Sequence, residues 1–258
     1  MKVSIVTAVL NSHEVVRRQI LHYNRMNLPG DVEFILVDDG SKPPIHYRGF
    51  EQPNFKFMLY HTQNFKPWTQ PAARNFGARR ANGETLICTD IDHIVTEELI
   101  EIARNPHADV IRFKREAAVL TKEGLFTQDM NVLREYGYNR NGLRIAPHGN
   151  SYIINKKLYI ALGGVDERYV GTGKYPNREE VPLKRKLKEL WQSGKITVID
   201  DSTKPTIYMI PNGRYCGDKD YNPFGLFHNL SRGRNIGRLT NKQKHELRRQ
   251  KQGGKNEN

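Results

Sequence analysis

The sequence predicts an α/β protein with a mostly parallel central sheet flanked by helices, and three observations carry that expectation. Short runs rich in Val, Ile and Leu alternate with segments of helical period, the order that builds βαβ units. The runs are continuously apolar rather than alternating, as strands covered on both faces are. Gly, Pro and Asn mark the junctions between them.

Each element has its own signal. Residues 3–9 read as a buried first strand of Val, Ile and Thr. Asn11 and Ser12 can cap a following helix, in which Val15, Val16, Ile20, Leu21 and Met26 recur at helical spacing until Pro29-Gly30 stops it. Residues 32–37 form a second strand that runs into Asp38-Asp39-Gly40-Ser41, after which Lys42-Pro43-Pro44 forces a loop. Residues 55–61 give a third strand and 71–81 a helix. Asn82-Gly83 then introduces residues 85–88, four mostly apolar residues too short for a helix, which lead into Asp90-Ile91-Asp92-His93. A helix over 96–104 and a strand over 109–113 complete a nucleotide-fold half.

Residues 114–147 show no clear helical period and are expected to hold short antiparallel strands and a loop over the site. A strand at 151–154 and a short helix at 156–162 follow, closed by Gly163-Gly164, a C-cap signal. After a turn-rich stretch, 179–192 reads as a helix with Leu183, Leu187, Leu190 and Trp191 on one face. Residues 196–199 and 206–210 are closing strands. Beyond Cys216 the chain turns basic: between Arg232 and Lys255 it has nine Lys and Arg against Glu246. The last few polar residues are expected to be disordered.

At 258 residues the chain suits one large α/β domain or two small ones. Lys and Arg number 41 against 28 Asp and Glu, a net charge of +13, which favours polyanionic partners: nucleic acid, an anionic membrane face, or phosphorylated or acidic glycans. No stretch approaches the roughly 20 apolar residues of a membrane span. The apolar run at the start reads as a strand, since Asn11 to Glu14 end it without a cleavage site. Cys88 and Cys216 need no disulfide, so the expected compartment is reducing, the cytoplasm.

Asp90 and Asp92 stand where a buried strand leaves the sheet, and open α/β sheets bind ligands in the crevice at that edge. Oxygen ligands spaced this way suit a hard divalent cation, Mg²⁺ or Mn²⁺, able to grip a diphosphate. A solvated acidic turn has the same spacing, so the rest of the chain has to decide.

Several pieces fall in one order: Thr7-Ala8-Val9-Leu10-Asn11-Ser12, Asp38-Asp39-Gly40-Ser41, Ala73-Arg74-Asn75-Phe76-Gly77, Ala81-Asn82-Gly83-Glu84 leading to Asp90-Ile91-Asp92, Gly163-Gly164-Val165-Asp166-Glu167, and Glu179-Glu180-Val181-Pro182-Leu183. In this order they resemble the GT-A nucleotide-sugar glycosyltransferases, most closely the family 2 type, over about residues 1–200. The resemblance implies that Asp92 is the direct metal ligand and that Asp90 contacts the ribose or the metal. It implies a donor site that includes Thr7, Ala8, Asn11, Asp38, Asp39 and Arg74; Asp39 stands where an acid of the family reads uracil, and Thr7 and Arg74 line the nucleoside pocket. The family's base is the second acid of a pair that opens a helix, usually Glu-Asp. Here the pair is Glu179-Glu180, one methylene longer, which makes Glu180 the base and leaves Glu179 on the acceptor or donor sugar. Acids in a first helical turn also suit the helix dipole, with no catalysis required. A late histidine often completes the metal site; His228 is the candidate, with His93 and His148 in competition.

The implied function is a metal-dependent, inverting transfer of a sugar from a nucleotide-sugar donor, of the UDP type, to a hydroxyl. The acceptor is either a glycan or lipid-linked glycan, or a hydroxylated base in DNA. The implied organisation is a transferase domain over 1–215, with a nucleotide-binding half (1–113) and an acceptor-binding half (114–215), and a basic extension over 216–258. Two alternatives stay open: a non-catalytic nucleic-acid-binding protein, and a nucleotidyltransferase, which would release pyrophosphate. No Gly-x-x-x-x-Gly-Lys loop of the kinase type is present.

Overall fold

The computed structural model describes residues 1–62, 69–147, 149–168, 170, 180–212 and 215–216. In chain order its elements are β1 (Val3–Val9), α1 (His13–Met26), β2 (Val32–Asp38), β3 (Lys56–His61), α2 (Gln70–Arg80), β4 (Thr85–Asp90), β5 (His93–Ile94), α3 (Glu97–Arg104) and β6 (Val110–Arg112). There follow β7 (Lys114–Ala117), β8 (Val119–Leu120), β9 (Phe126–Thr127), α4 (Met130–Glu135), β10 (Arg144–Ile145), β11 (Tyr152–Asn155), α5 (Lys156–Ala161), α6 (Val181–Gln192), β12 (Val198–Ile199) and β13 (Thr206–Met209).

Seven strands make the main sheet in the order β12-β6-β11-β4-β1-β2-β3. All its neighbours pair in parallel except β11, which is antiparallel to both β4 and β6. Every residue of β1 and β2 is buried, which is why these strands read as unbroken apolar runs. On one face Val16, Ile20 and Tyr23 of α1 and Leu99, Ile100 and Ala103 of α3 cover Ile5, Phe34 and Ile87. On the other, Ala73 and Ala78 of α2, Tyr159 of α5, and Leu183 and Leu187 of α6 cover Val6, Ile35, Val37 and Cys88. This is the α/β architecture expected, with helices on both faces of a mostly parallel sheet.

A second sheet, β10-β7-β13-β5, sits with the β8–β9 pair over a third core that includes Ala117, Leu133, Tyr138 and Met209. The main sheet runs across residue 113: β11 and β12 come from the later part of the chain, while β5, from the earlier part, pairs with β13. Cys216 forms an antiparallel bridge with Tyr138. Both cysteines are free and buried, and burial pushes the Cys88 thiol up to about 12. Among the described residues no helix is long and apolar enough to cross a membrane.

Two expectations need correction. The apolar face expected of α6 is narrower than its sequence suggests: Leu183 and Leu187 are buried, but Trp191 is 45% exposed. The helix lies on the sheet by two side chains a turn apart, and Trp191 falls past the edge they cover. The middle segment contains α4, whose six residues are too few to display a period; its start is set by Asp129, whose carboxylate accepts from the Asn131 amide at 2.7 Å.

One buried acid fastens the turn before β4. Glu33 of β2 is inaccessible to solvent and accepts from Ser4 Oγ at 2.7 Å and from the Asn82 amide and side chain at 2.6 and 3.0 Å. Gly83 closes the same turn against β1, where a Cβ would stand 2.5 Å from the Ser4 nitrogen. Burial alone would raise the Glu33 pKa, but the donors from Ser4 and Asn82 outweigh it and hold the carboxyl below its ordinary 4.5. With its folded pKa below the unfolded one, Glu33 stabilises the fold above about pH 4.5 and ceases to as pH falls through the folded value. Urea unfolding of wild type and Glu33→Gln from pH 7 to pH 3 is therefore expected to show the wild-type advantage shrinking towards pH 3. Parallel curves at all pH values would mean the carboxylate is not what holds the turn.

Candidate active site

The parallel strands deliver their functional side chains to one edge. Register places Ala8 beside Asp90 and Val9 beside Asp38. Thr7, between Leu36 and Thr89, is 2% exposed. β4 ends at Asp90, whose Oδ1 accepts from Arg74 and, at 3.1 Å, from Gln70 Nε2, both on α2. The Arg74 side chain is 1% exposed and Asp90 15%. A guanidinium that buried needs a carboxylate partner, and Asp90 supplies it while keeping a face to solvent.

Asp92 follows across the turn. Its Oδ2 accepts from Asn212 Nδ2 at 2.8 Å and its Oδ1 lies 3.3 Å from His93 Nδ1. Ligand atoms of Asp90, Asp92 and His93 all fall within 4.8 Å of one another. Two half-buried carboxylates that converge this closely fit a hard divalent cation.

The adjacent acids at the end of β2, Asp38 within it and Asp39 just after it, have different tasks. Asp38 is spent on its own loop: its oxygens accept from the Ser41 and Ile45 amides at 2.8 and 2.9 Å and face His61 Nδ1 at 3.2 Å. Asp39 instead accepts from Thr62 Oγ1 at 3.1 Å and from Thr69 Oγ1, while its amide donates to Val9. Asn11, left-handed at φ 50°, bridges the two loops: its Oδ1 accepts from the Lys42 amide at 2.6 Å and its amide donates to Ser41 Oγ at 2.8 Å.

Glu180 stands at the N-cap of α6, with Oε1 3.3 Å from Lys184 Nζ, beside a small crevice that Arg112, Gly149 and Tyr152 also line. Glu179, His148, His228 and the basic segment after Cys216 lie outside the described residues.

Asn75 belongs to the site's frame, a role its sequence motif did not reveal. Its Nδ2 donates to Val165 O at 2.8 Å and Glu167 Oε1 at 2.7 Å, and its Oδ1 accepts from Tyr159 Oη at 2.6 Å and the Val165 amide at 3.1 Å. Gly164, at φ 67°, passes so close that a Cβ there would be 2.2 Å from Asn75 Oδ1. The Arg74-Asn75 and Gly163-Gly164-Val165-Asp166 motifs are thus two sides of one joint. Gln70 and Asn212 had no signal in the sequence; only the fold brings them to the two acids.

The family described as glycosyltransferase like family 2 matches residues 4–177. No curated protein matches the chain. Among solved structures, S. aureus TarS residues 1–349 in complex with UDP superposes with a TM-score of 0.51 at 16% identity, over 82% of this chain and 61% of that one. The mannosyltransferase PcManGT from Pyrobaculum calidifontis, in complex with GDP-Man and Mn²⁺, gives 0.51 at 16% identity over 83% and 58%. The likeness is one of fold, and the chain spans about three fifths of those structures' length.

Asn75→Ala would leave the Val165 amide and the Tyr159 hydroxyl without their buried partner, an expected loss of about 3 kcal/mol or more in urea unfolding. Arg79→Ala, on the exposed side of the same helix, is expected to cost under about 1 kcal/mol. Equal effects from both would remove Asn75 from the frame.

Proposed function

The chain belongs to glycosyltransferase-like family 2, and from that membership we propose that it is a metal-dependent, inverting glycosyltransferase that moves a sugar from a nucleotide-sugar donor to an acceptor hydroxyl. The single observation that carries the reading is the pair of carboxylates at the end of β4, Asp90 and Asp92, with the buried Arg74 behind them.

The bond to be broken joins the anomeric carbon to a nucleoside diphosphate, so the leaving group departs as an anion. In this reading Asp92 and Asp90 hold a divalent cation, Mn²⁺ or Mg²⁺, which when bound acts as a Lewis acid towards diphosphate oxygens. Arg74 fixes the Asp90 carboxylate in place and adds positive charge behind it. Thr7, Ala8, Asn11 and Asp39 border the nucleoside side of the edge, and Asp38 shapes that border from within its loop. The donor would be a UDP-sugar, with Asp39 presented to the base.

The acceptor hydroxyl must lose a proton as it attacks. Glu180, a carboxylate at a helix start with partial access to solvent, is the proposed base, and Glu179 the proposed contact to a sugar. A single base implies a single displacement and hence inversion. Residues 1–113 would serve the donor and 114–215 the acceptor, with 216–258 as a basic extension. The net charge of +13 favours a polyanionic acceptor or surface, whether a glycan or lipid-linked glycan or a hydroxylated base in DNA. Two free, buried cysteines are compatible with a cytoplasmic enzyme.

Incubation with a panel of nucleotide sugars and Mn²⁺ is expected to release a nucleoside diphosphate from one of them. Release of pyrophosphate would instead mean nucleotidyl transfer, and no turnover with any donor would sink the enzymatic reading. Asp92→Asn is expected to keep the fold and lose metal-dependent turnover, since an amide has no charge to hold the cation. Glu180→Gln is expected to lower turnover by about 10²-fold with little change in donor affinity. A nearly silent Glu180→Gln beside a damaging Glu179→Gln would move the base by one residue.

A further inference from the structure

Charge is distributed unevenly between the two faces of the main sheet. The helices α2, α5 and α6, which cover one face, carry nine Lys and Arg against a single acid, Glu189. The helices α1 and α3, on the other, carry four Arg against four Glu. The excess is not spent inside the molecule. Arg74 is buried against Asp90 and Lys184 pairs with Glu180, but Arg79, Arg80, Lys157, Arg185, Lys186 and Lys188 are exposed. Glu167 offsets one of them, 3.5 Å from Arg79. The side chains of Lys157, Arg185 and Lys188 meet no polar partner among the described residues.

The three helices form one layer. Lys186 Nζ of α6 donates to Leu162 O, just past α5, at 2.9 Å, and Asn75 Nδ2 of α2 donates to Val165 O at 2.8 Å. Apolar side chains stand among the cations. Ile160 of α5 is 41% exposed, one turn from Lys157, and Trp191 of α6 is 45% exposed, one turn from Lys188. A phosphate polymer would pair with the cations but offers an aliphatic side chain such as Ile160 nothing to enter. The interface of a bilayer takes both kinds: anionic headgroups attract Lys and Arg, and the zone beneath them admits Trp and Ile.

We propose that the layer of α2, α5 and α6 is a docking surface for an anionic lipid bilayer, with its exposed Lys and Arg at the headgroups and Ile160 and Trp191 set into the interface. Each cation held near such a surface strengthens binding about fivefold, so several weak contacts add up to a firm attachment. Salt screens it. α2 begins at Gln70, which is bonded to Asp90, and α6 follows Glu180, so a docked layer holds both acids beside the lipid. The docking itself does not depend on the transferase reading.

The test is sedimentation of the full chain with vesicles of phosphatidylcholine, alone or mixed with phosphatidylglycerol, across a salt titration. Binding is expected on the mixed vesicles and is expected to weaken as salt rises; equal binding to both kinds overturns the proposal. Two triple variants of equal net charge separate the layer from the charge of the whole chain, and urea unfolding checks that each is folded. Lys157→Gln, Arg185→Gln and Lys188→Gln together are expected to lose about 30-fold or more on mixed vesicles. Arg48→Gln, Lys114→Gln and Lys122→Gln together, exposed residues on none of these helices, are expected to stay within about threefold of wild type. Equal losses for the two triples, or none for either, overturn the proposal, because the basic segment after Cys216 is common to both. In Trp68→Phe protein Trp191 is the single tryptophan, and mixed vesicles are expected to shift its emission to the blue and brominated lipid to quench it. This measurement uses no charge variant, so it decides even where a triple fails to fold: an emission unmoved in vesicle-bound protein overturns the proposal. Duplex DNA binding lost in the first triple, with vesicle binding kept, would assign the layer to nucleic acid instead.

Discussion

A guanidinium removed from water has to be paired, and the pairing of Arg74 with Asp90 orders the rest of the edge where β1, β2 and β4 end. The two residues stand on different elements, so the pair fixes α2 against the end of β4. Asn75, the next residue, turns to the segment after α5 and fastens it through Val165. Two consecutive side chains of one helix thereby locate both the strand end that bears the acids and the segment that leads towards Glu180. Removing Asp90 would leave the Arg74 guanidinium charged in a buried place, which costs more than the pair itself contributes. The geometry is rigid for that reason, and not because of any strength in a salt bridge as such.

The opposite side of the edge is braced by a different device. Asn11 ties the loop after β1 to the loop after β2, and Asp38 gathers two amides of the latter loop onto its own oxygens. Asp39 reaches forward to Thr62 and Thr69, on either side of residues 63–68. Adjacent acids of identical chemistry thus differ in duty because the strand's two-residue alternation points them in opposite directions.

Much of the fold was legible in the sequence. β1, β2 and β4 are short apolar runs because both faces of the sheet are covered, and α1 shows a helical period because Val16, Ile20 and Tyr23 recur on the face it lays against the main sheet. Where the reading stopped, there was a physical cause. β5 has two residues and α4 six, lengths at which no periodicity exists to be seen. Trp191 was expected in a stripe that ends one turn earlier, since the extent of a buried face depends on the partner surface and not on the helix alone. Asp90 and Asp92 could be picked out because they are neighbours in the chain. Asn75 could not be given its task, because its partner at Val165 is 90 residues away. The orientation of Asp92 likewise depends on Asn212, 120 residues further on. Glu179 and His228 lie outside the described residues.

The antiparallel strand β11 sets the order in which the chain can mature. It lies between β4 and β6, strands that precede it by some sixty and forty residues, and both hydrogen-bond to it rather than to each other. Until residues 152–155 have been synthesised, β4 has one open ladder edge and β6 has no partner on that side. A nascent chain that has produced all of the early βαβ units therefore still exposes the backbone donors and acceptors next to Asp90 and Asp92. The sheet closes only when a late segment threads into its middle, and such distant pairing makes for slow folding and a period of vulnerability to association through open edges. Assembly of the acid-bearing edge thus waits on a strand some sixty residues further along the chain.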